Sequence, residues 1–328
     1  MLFVVEPHER NVFDQRWIEY GLFERCNGYV FVQTKLYINA FRRHQIRVIR
    51  QTFEQLGSTA AIDPGTGSLR ITCPQDLEPM GFVEVAVVYY RTGYVPSDYA
   101  SADDYSTRFL LERSRAINCP TIALQLAGSK KIQQTLTQDG VLEEFLCNPK
   151  RGVVFRPDEV EALRDTFMAM WGLEVGIDGV TPDHEAAQAG KEPYGARRAR
   201  EKAGSLVLKP QREGGGNNVY KDDIPEFLNK LDPAERQAWI AMELITPPRG
   251  VASYLIRAGS TDNQQQEATR TEVISELGIF GWALFGNSGQ TLIEKEGGWL
   301  MRTKGRESDE GGVAAGFSVL DSVLLIDD

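Results

Sequence analysis

The segment Leu206–Tyr220, LVLKPQREGGGNNVY, sets side by side the residue types that handle a phosphorylated ligand. Leu206 to Leu208 is a short apolar run of the kind that forms a buried strand. It leads into Lys209 and Pro210, then the carboxylate of Glu213, then Gly214, Gly215 and Gly216 in succession. Backbone without side chains at the end of a strand lets N–H groups approach phosphate oxygens closely. Lys209 supplies a counter-charge, and Glu213 is the kind of oxygen ligand that holds a Mg²⁺ ion accompanying a nucleotide. The order is not that of a P-loop, where lysine follows the glycines and a hydroxyl residue comes next. Nor does it have the spaced glycines of a dinucleotide fold. Taken alone, a glycine triplet is more often a flexible linker than a ligand site.

The rest of the C-terminal half shifts that balance. Trp239–Ile245 is a second apolar strand carrying one acid, Glu243, and Glu272–Gly281 is a third, interrupted by Glu276. A glutamate in an apolar strand is costly to bury without a partner, which favours a functional role for both. Arg302 and Lys304 add two cations, and Glu310–Gly316 is a second glycine-rich loop.

These residues need elements to hold them. Leu2–Val5 reads as a strand and Val12–Glu24 as a helix with Phe13, Trp17, Leu22 and Phe23 as its apolar contributors. Ile46–Ile49 and Val83–Tyr90 read as further strands, the second apolar enough to be covered on both faces. A helix from about Ala102 to Ile117 follows. Such alternation predicts a small parallel α/β sheet, with a boundary near Pro120. Helical pieces are expected around 129–147 and 157–171, a loop or frayed helix over 176–204, and ligand-binding strands over 205–328.

Seven collinear motifs resemble eukaryotic-type glutathione synthetase. They are LKPQREGGGNN at 208–218, ISELGIFG at 274–281, RTK at 302–304 with EGGVAAG at 310–316, and, upstream, Glu9–Arg16, Tyr90–Tyr94, Leu110–Ser114 and Leu126–Lys131. The resemblance implies an ATP-grasp fold with an additional small parallel α/β substrate-binding domain. The expected division is a substrate-binding domain over 1–120 and an ATP-grasp domain over 121–328, with glycine-rich loops at 213–218 and 310–316. The implied reaction is ATP-dependent joining of γ-glutamylcysteine to glycine through an acyl phosphate, giving glutathione, ADP and phosphate. Both steps build negative charge on oxygens, so fixed cations and Mg²⁺ would carry most of the catalysis.

Roles follow from the same resemblance. Lys130 and Lys209 would contact ATP phosphates, and Glu213 would be the Mg²⁺ ligand. Gly214, Gly215, Gly216, Asn217, Asn218 and Tyr220 would lie along the nucleotide. Met242, Glu243, Leu244 and Ile245 would offer a backbone edge to adenine, with Glu276 nearby. Arg302 would grip the substrate carboxylate and stabilise transition-state charge, which its bidentate geometry suits better than lysine would. Lys304 would be a further ATP contact. The family has Asp directly before Gly-Gly, where this chain has Glu310 preceded by Asp309, so either acid could take that role. Glu9, Arg10, Asn11, Gln15, Arg91 and Tyr94 would meet γ-glutamylcysteine, and Val313 and Ala314 would lie in the loop that accepts glycine.

Bulk properties fit this class without selecting it. The 328 residues are 42% hydrophobic and 25% charged, as in ordinary globular proteins. A net charge of −10 argues against nucleic-acid or acidic-membrane binding. The four cysteines are scattered without a C-x-x-C pair, and the three histidines lack ligand spacing, so reduced thiols in a cytoplasmic protein are expected and a zinc site is not. No signal or transit peptide is read before Leu2, and a homodimer is implied by the family.

Two departures from the family are expected. Residues 27–43, aromatic and β-branched, read as an aberrant insertion, with an added hairpin as the alternative. The family also has a region preceding the Glu9 motif, supplying two Mg²⁺ ligands and part of the dipeptide site. The competing readings are an active synthetase, a truncated inactive fragment that binds only nucleotide or a partner subunit, and an ATP-grasp ligase for another peptide-like acid.

Overall fold

The structure is a computed structural model that describes residues 1–9, 12–24, 48–73, 80–151, 154–211, 217–255, 269–286, 288–309, 313 and 318–323. The expectations placed on Arg10, Asn11, Glu213, Gly214, Gly215, Gly216, Glu310, Ala314 and the segment 27–43 lie outside these residues. The chain divides into two compact units, Met1–Ser129 and Lys130–Asp328, each with its own apolar core. The division expected near Pro120 precedes this one.

The first unit opens with β1 (Leu2–Val4), whose three residues are all fully buried. Helix α1 (Val12–Glu24), β2 (Ile49–Gln51) and α2 (Phe53–Thr59) follow. Thr52 starts α2 with a reciprocal cap: its hydroxyl accepts from Gln55 N–H, and the Gln55 side chain accepts from Thr52 N–H. Strands β3 (Ala60–Ile62), β4 (Leu69–Thr72) and β5 (Phe82–Val85) form an antiparallel sheet. Then come β6 (Val87–Tyr90), α3 (Ala102–Arg113), β7 (Ile117–Cys119) and α4 (Ile122–Ala127). The parallel sheet runs β2-β1-β6-β7.

Side chains alternate across this sheet, so each strand feeds two faces. Leu2, Val4, Val88 and Tyr90 join Phe53, Leu56 and Leu111 from α2 and α3 in the core. Phe3 stands in register with Arg50 and Tyr89 on the other face, where α1 makes its contacts. The run 83–90 expected as one strand is two, divided at Ala86 and placed in different sheets. The turn is made because the Ala86 carbonyl accepts from Ile117 N–H, committing the chain beyond it to β7. The helix expected to reach Ile117 stops at Arg113, where the Ser114 N–H bonds back to Leu111.

The second unit begins with α5 (Lys130–Leu136), α6 (Val141–Leu146), α7 (Pro157–Arg164) and β8 (Met170–Gly172). The expected 157–171 helix is thus a helix followed by a strand. The segment 176–204, expected as a loop or frayed helix, contains two short helices, α8 (His184–Gln188) and α9 (Tyr194–Glu201). Strands β9 (Leu206–Pro210) and β10 (Val219–Tyr220), helix α10 (Ile224–Lys230) and β11 (Trp239–Glu243) complete a sheet of order β10-β9-β11-β8. Leu206, Leu208, Ala241 and Trp171 pack one face of it against Ala196 and Ala199 of α9 and Ile224 and Leu228 of α10. A second antiparallel sheet has β12 (Ala252–Leu255), β13 (Thr269–Phe285), β14 (Thr291–Gly305) and β15 (Val319–Asp321) in chain order. Its centre is the long hairpin of β13 and β14, on which Leu277, Ile279, Phe280, Trp282 and Trp299 are exposed.

Candidate functional site

Register sorts the sequence-predicted residues of the second unit onto particular faces. Directly paired residues point to the same side of a sheet. Lys209 pairs with Ile240, Val207 with both Met242 and Tyr220, and Leu208 with Val219 and Ala241. Since Leu208 and Ala241 face the helical core, Lys209, Tyr220 and Met242 share the opposite face. The sheet therefore brings these three expected nucleotide contacts onto one surface. Asn218, at the entry to β10, donates its side-chain amide to the Tyr220 hydroxyl at 3.1 Å.

Glu243 does not join them. It pairs with Leu206 on the core-facing side, half-exposed, and its carboxylate lies 3.7 Å from Lys202 Nζ. Neighbouring backbone donors are committed too: Glu243 N–H bonds to Ala169 O at 3.0 Å and Leu244 N–H to Ser205 O at 2.9 Å. Exposed Ile245, immediately after them, is where the expected adenine-pairing edge continues.

Lys130 opens α5, and that helix start is tied to the end of β9. Lys131 N–H donates to Gln211 Oε1 at 3.0 Å, and Gln211 directly follows β9. The Lys131 ammonium pairs with Glu174. Lys131 and Gln211 lie inside the motifs LAGSKK and LKPQREGGG, but nothing in the sequence singled out Glu174 as their companion.

On the second sheet, Glu276 pairs with Arg302 and Ile274 with Lys304, so Glu276, Arg302 and Lys304 share a face. Arg302 Nη2 reaches Glu276 Oε1 at 2.5 Å. The expectation that Glu276 is buried fails: its side chain is 65% exposed, because both faces of the hairpin stand open here and the arginine neutralises it. Lys304 Nζ donates to the Asp309 carbonyl at 2.9 Å, while the Asp309 carboxylate takes Lys221 Nζ at 2.6 Å. Lys221 directly follows β10, so Asp309 ties the ends of both sheets together. Val313 is exposed.

The first unit gathers the expected dipeptide contacts around α1 and the end of β6. Arg91 N–H bonds to Val4 O, its Nη2 donates to Asp14 Oδ2 at 2.6 Å, and its Nη1 reaches the Tyr89 hydroxyl at 3.3 Å. Tyr94 follows a turn at Gly93, whose φ of +81° favours glycine. A Cβ there would also stand 2.8 Å from the Tyr99 hydroxyl. Asp98 accepts from Tyr94 N–H at 2.7 Å, and Gln125 Nε2 donates to Gly93 O at 2.6 Å, fixing the turn. Gln15 is fully buried on α1 and Glu9 is half-buried ahead of it.

Among the described residues no three His, Cys, Asp or Glu side chains converge as metal ligands. A Mg²⁺ assignment thus rests on Glu213, outside them. Nor is any described helix long and apolar enough to cross a membrane.

Comparison with known proteins bears on the family of the chain. The family model for the eukaryotic glutathione synthase ATP-binding domain matches residues 16–325. The chloroplastic glutathione synthetase of Solanum lycopersicum is 37% identical over 99% of this chain and 49% of its own length. The glutathione synthetase of Homo sapiens is 39% identical over 98% of this chain and 56% of its own. The chain thus spans about half the length of the curated relatives it matches. A glutathione synthetase-like effector from Globodera pallida, solved in apo form, shares the fold with a TM-score of 0.56 at 20% identity, covering 98% of this chain and 55% of that one. The mixed α/β architecture, with one parallel sheet and separate antiparallel sheets, is consistent with ATP-grasp, and the chain belongs to the eukaryotic glutathione synthase ATP-binding-domain family.

Proposed function

We propose that this chain performs the ATP-dependent ligation of γ-glutamylcysteine to glycine. The observation that carries the reading is the common sheet face bearing Lys209, Tyr220 and Met242, in a chain whose family is defined by ATP binding. In this reading Lys209, Lys130 and Lys304 hold the phosphates of ATP, and Asn217, Asn218, Tyr220 and the 242–245 strand end hold its nucleoside. Arg302 grips the carboxylate that attacks the γ-phosphate and stabilises the charge that develops there. Gln15, Arg91, Tyr94 and Glu9 hold the dipeptide, and Val313 and Ala314 border the incoming glycine. Mg²⁺, held by Glu213, would supply charge neutralisation at the transferring phosphoryl group. Homodimerisation and a cytoplasmic location belong to the same proposal.

Calorimetric titration of Mg·ATP tests the core of it. Lys209→Ala should weaken binding by about 1.5–3 kcal/mol, the size of a hydrogen bond to a charged group. Equal heats for wild type and variant would remove Lys209 from the nucleotide site. An ADP-release assay with γ-glutamylcysteine and glycine then tests turnover, and nucleotide binding without turnover would leave only the ATP-binding part standing.

A further inference from the structure

We propose that Arg50 is a positioning residue that fixes the Gln15 amide with its N–H donors turned toward an acceptor group of the ligand. The assignment rests on reading this unit as the dipeptide site, and deepens that reading. Arg50 stands on β2, in register with Phe3, and its guanidinium lies 5.7 Å from the Phe3 ring centroid. Its Nη2 donates to Gln15 Oε1 at 2.5 Å and its Nη1 to Glu19 Oε1 at 2.9 Å. Gln15 and Glu19 are one turn apart on α1, so a single guanidinium clips that helix to the sheet.

An amide side chain can be turned end for end with little change in shape, yet arginine carries donors and no acceptor. Only the oxygen of Gln15 can therefore face Arg50, and the NH₂ group must face away. Gln15 is 0% exposed, and its Nε2 has no hydrogen-bond partner. A buried donor left in that state costs folding free energy, which a ligand oxygen would restore. The surrounding charge points to the same kind of group. Arg50 and Arg91 lie on either side of Phe3 in this part of the sheet, paired with Glu19 and Asp14 of α1, so guanidinium donors flank the amide and suit a ligand that brings acceptor oxygens. Arg50 itself belongs to none of the motifs that carry the family resemblance.

The test is calorimetric titration of γ-glutamylcysteine into wild type, Gln15→Glu, Arg50→Met and Arg50→Lys, with Mg·ATP titrations and thermal melts alongside. Gln15→Glu keeps an acceptor toward Arg50 and replaces the unpartnered donor with a second acceptor. It should melt at or above the wild-type temperature yet lose dipeptide affinity at least tenfold. Arg50→Met releases the amide to rotate and should weaken dipeptide binding several-fold without changing Mg·ATP binding. Arg50→Lys returns one donor to Gln15 and should recover part of that loss. If Arg50→Met does not fold, Gln15→Glu still decides. Wild-type dipeptide affinity in Gln15→Glu, or in both Arg50 variants, would overturn this assignment alone. Failure of the wild type to bind the dipeptide would remove the dipeptide reading and this assignment together.

Discussion

Replacing Arg302 by Met separates a catalytic role from a structural one, because the structure predicts very different magnitudes for the two. The guanidinium meets Glu276 across the hairpin at 2.5 Å, but the two side chains are 37% and 65% exposed. Water screens such a pair, and exposed cross-strand ion pairs contribute about 0.2–1 kcal/mol. Met retains the apolar stem, so the loss should stay below about 1 kcal/mol, a fall of roughly 2–4 °C in melting temperature for a unit of this size. If Arg302 instead stabilises charge in the transition state, removing it should cost about 10²–10³ in kcat, or roughly 2.7–4 kcal/mol. Arg302→Lys, which keeps the charge and loses the fork, should fall between. The measurements are thermal melts and an ADP-release assay at saturating ATP. A variant within threefold of wild-type kcat would refute the catalytic role, and a melting temperature lowered by more than 10 °C would show the pair to be a structural support.

Arg108 should behave in the opposite way. It is 4% exposed, donates to Glu112 Oε1 at 3.0 and 2.8 Å and to Pro120 O at 3.2 Å, and lies 3.5 Å from the Tyr90 ring centroid. Arg108→Met should destabilise the first unit by about 3–5 kcal/mol in urea unfolding, since it strands a partly buried carboxylate; a loss under about 1 kcal/mol would contradict this. The hydrogen bond from the Thr303 hydroxyl, then that from the Ser322 N–H, lowers the Asp321 carboxyl below its ordinary value. Its stabilisation is full above the ordinary carboxylate range and is lost as pH falls through the lowered value. Asp321→Asn should therefore flatten the acid limb of a melting-temperature profile below about pH 4, and unchanged acid sensitivity would exclude Asp321 as a contributor.

Where the sequence was legible, local chemistry and tertiary packing demanded the same thing. Leu2–Val5 is apolar and occupies the middle of a sheet, and Lys209 stands at the end of its strand as its neighbours implied. Val83–Tyr90 misled because a continuous apolar run carries no mark of where it changes sheets; that is decided by Ala86 meeting Ile117. The Gly and Pro of 176–204 left loop and frayed helix both open, and the helix at 194–201 is settled by the burial of Ala196 and Ala199 rather than by helix propensity. Glu276 looked buried because its flanks are apolar, yet those flanks are themselves exposed. Arg50 gave no signal at all, since a strand arginine reads as solvated until the helix that covers it is in place.

The open hairpin also gives the chain a built-in optical contrast. Trp282 and Trp299 stand about half-exposed on it, with Trp299 in register with Ile279 only a few residues from Arg302. Trp171 is 2% exposed on the core side of the β10-β9-β11-β8 sheet, its indole N–H bonded to Gly195 O and its ring covered by Arg198. Indoles in water emit to the red of indoles in dry cores, and collisional quenchers reach only the former. With Trp17, 73% exposed on α1, and Trp239, partly buried beside Trp171, both replaced by Phe, iodide should silence the hairpin emission while sparing Trp171, so one spectrum resolves events beside Arg302 from events beneath Lys209.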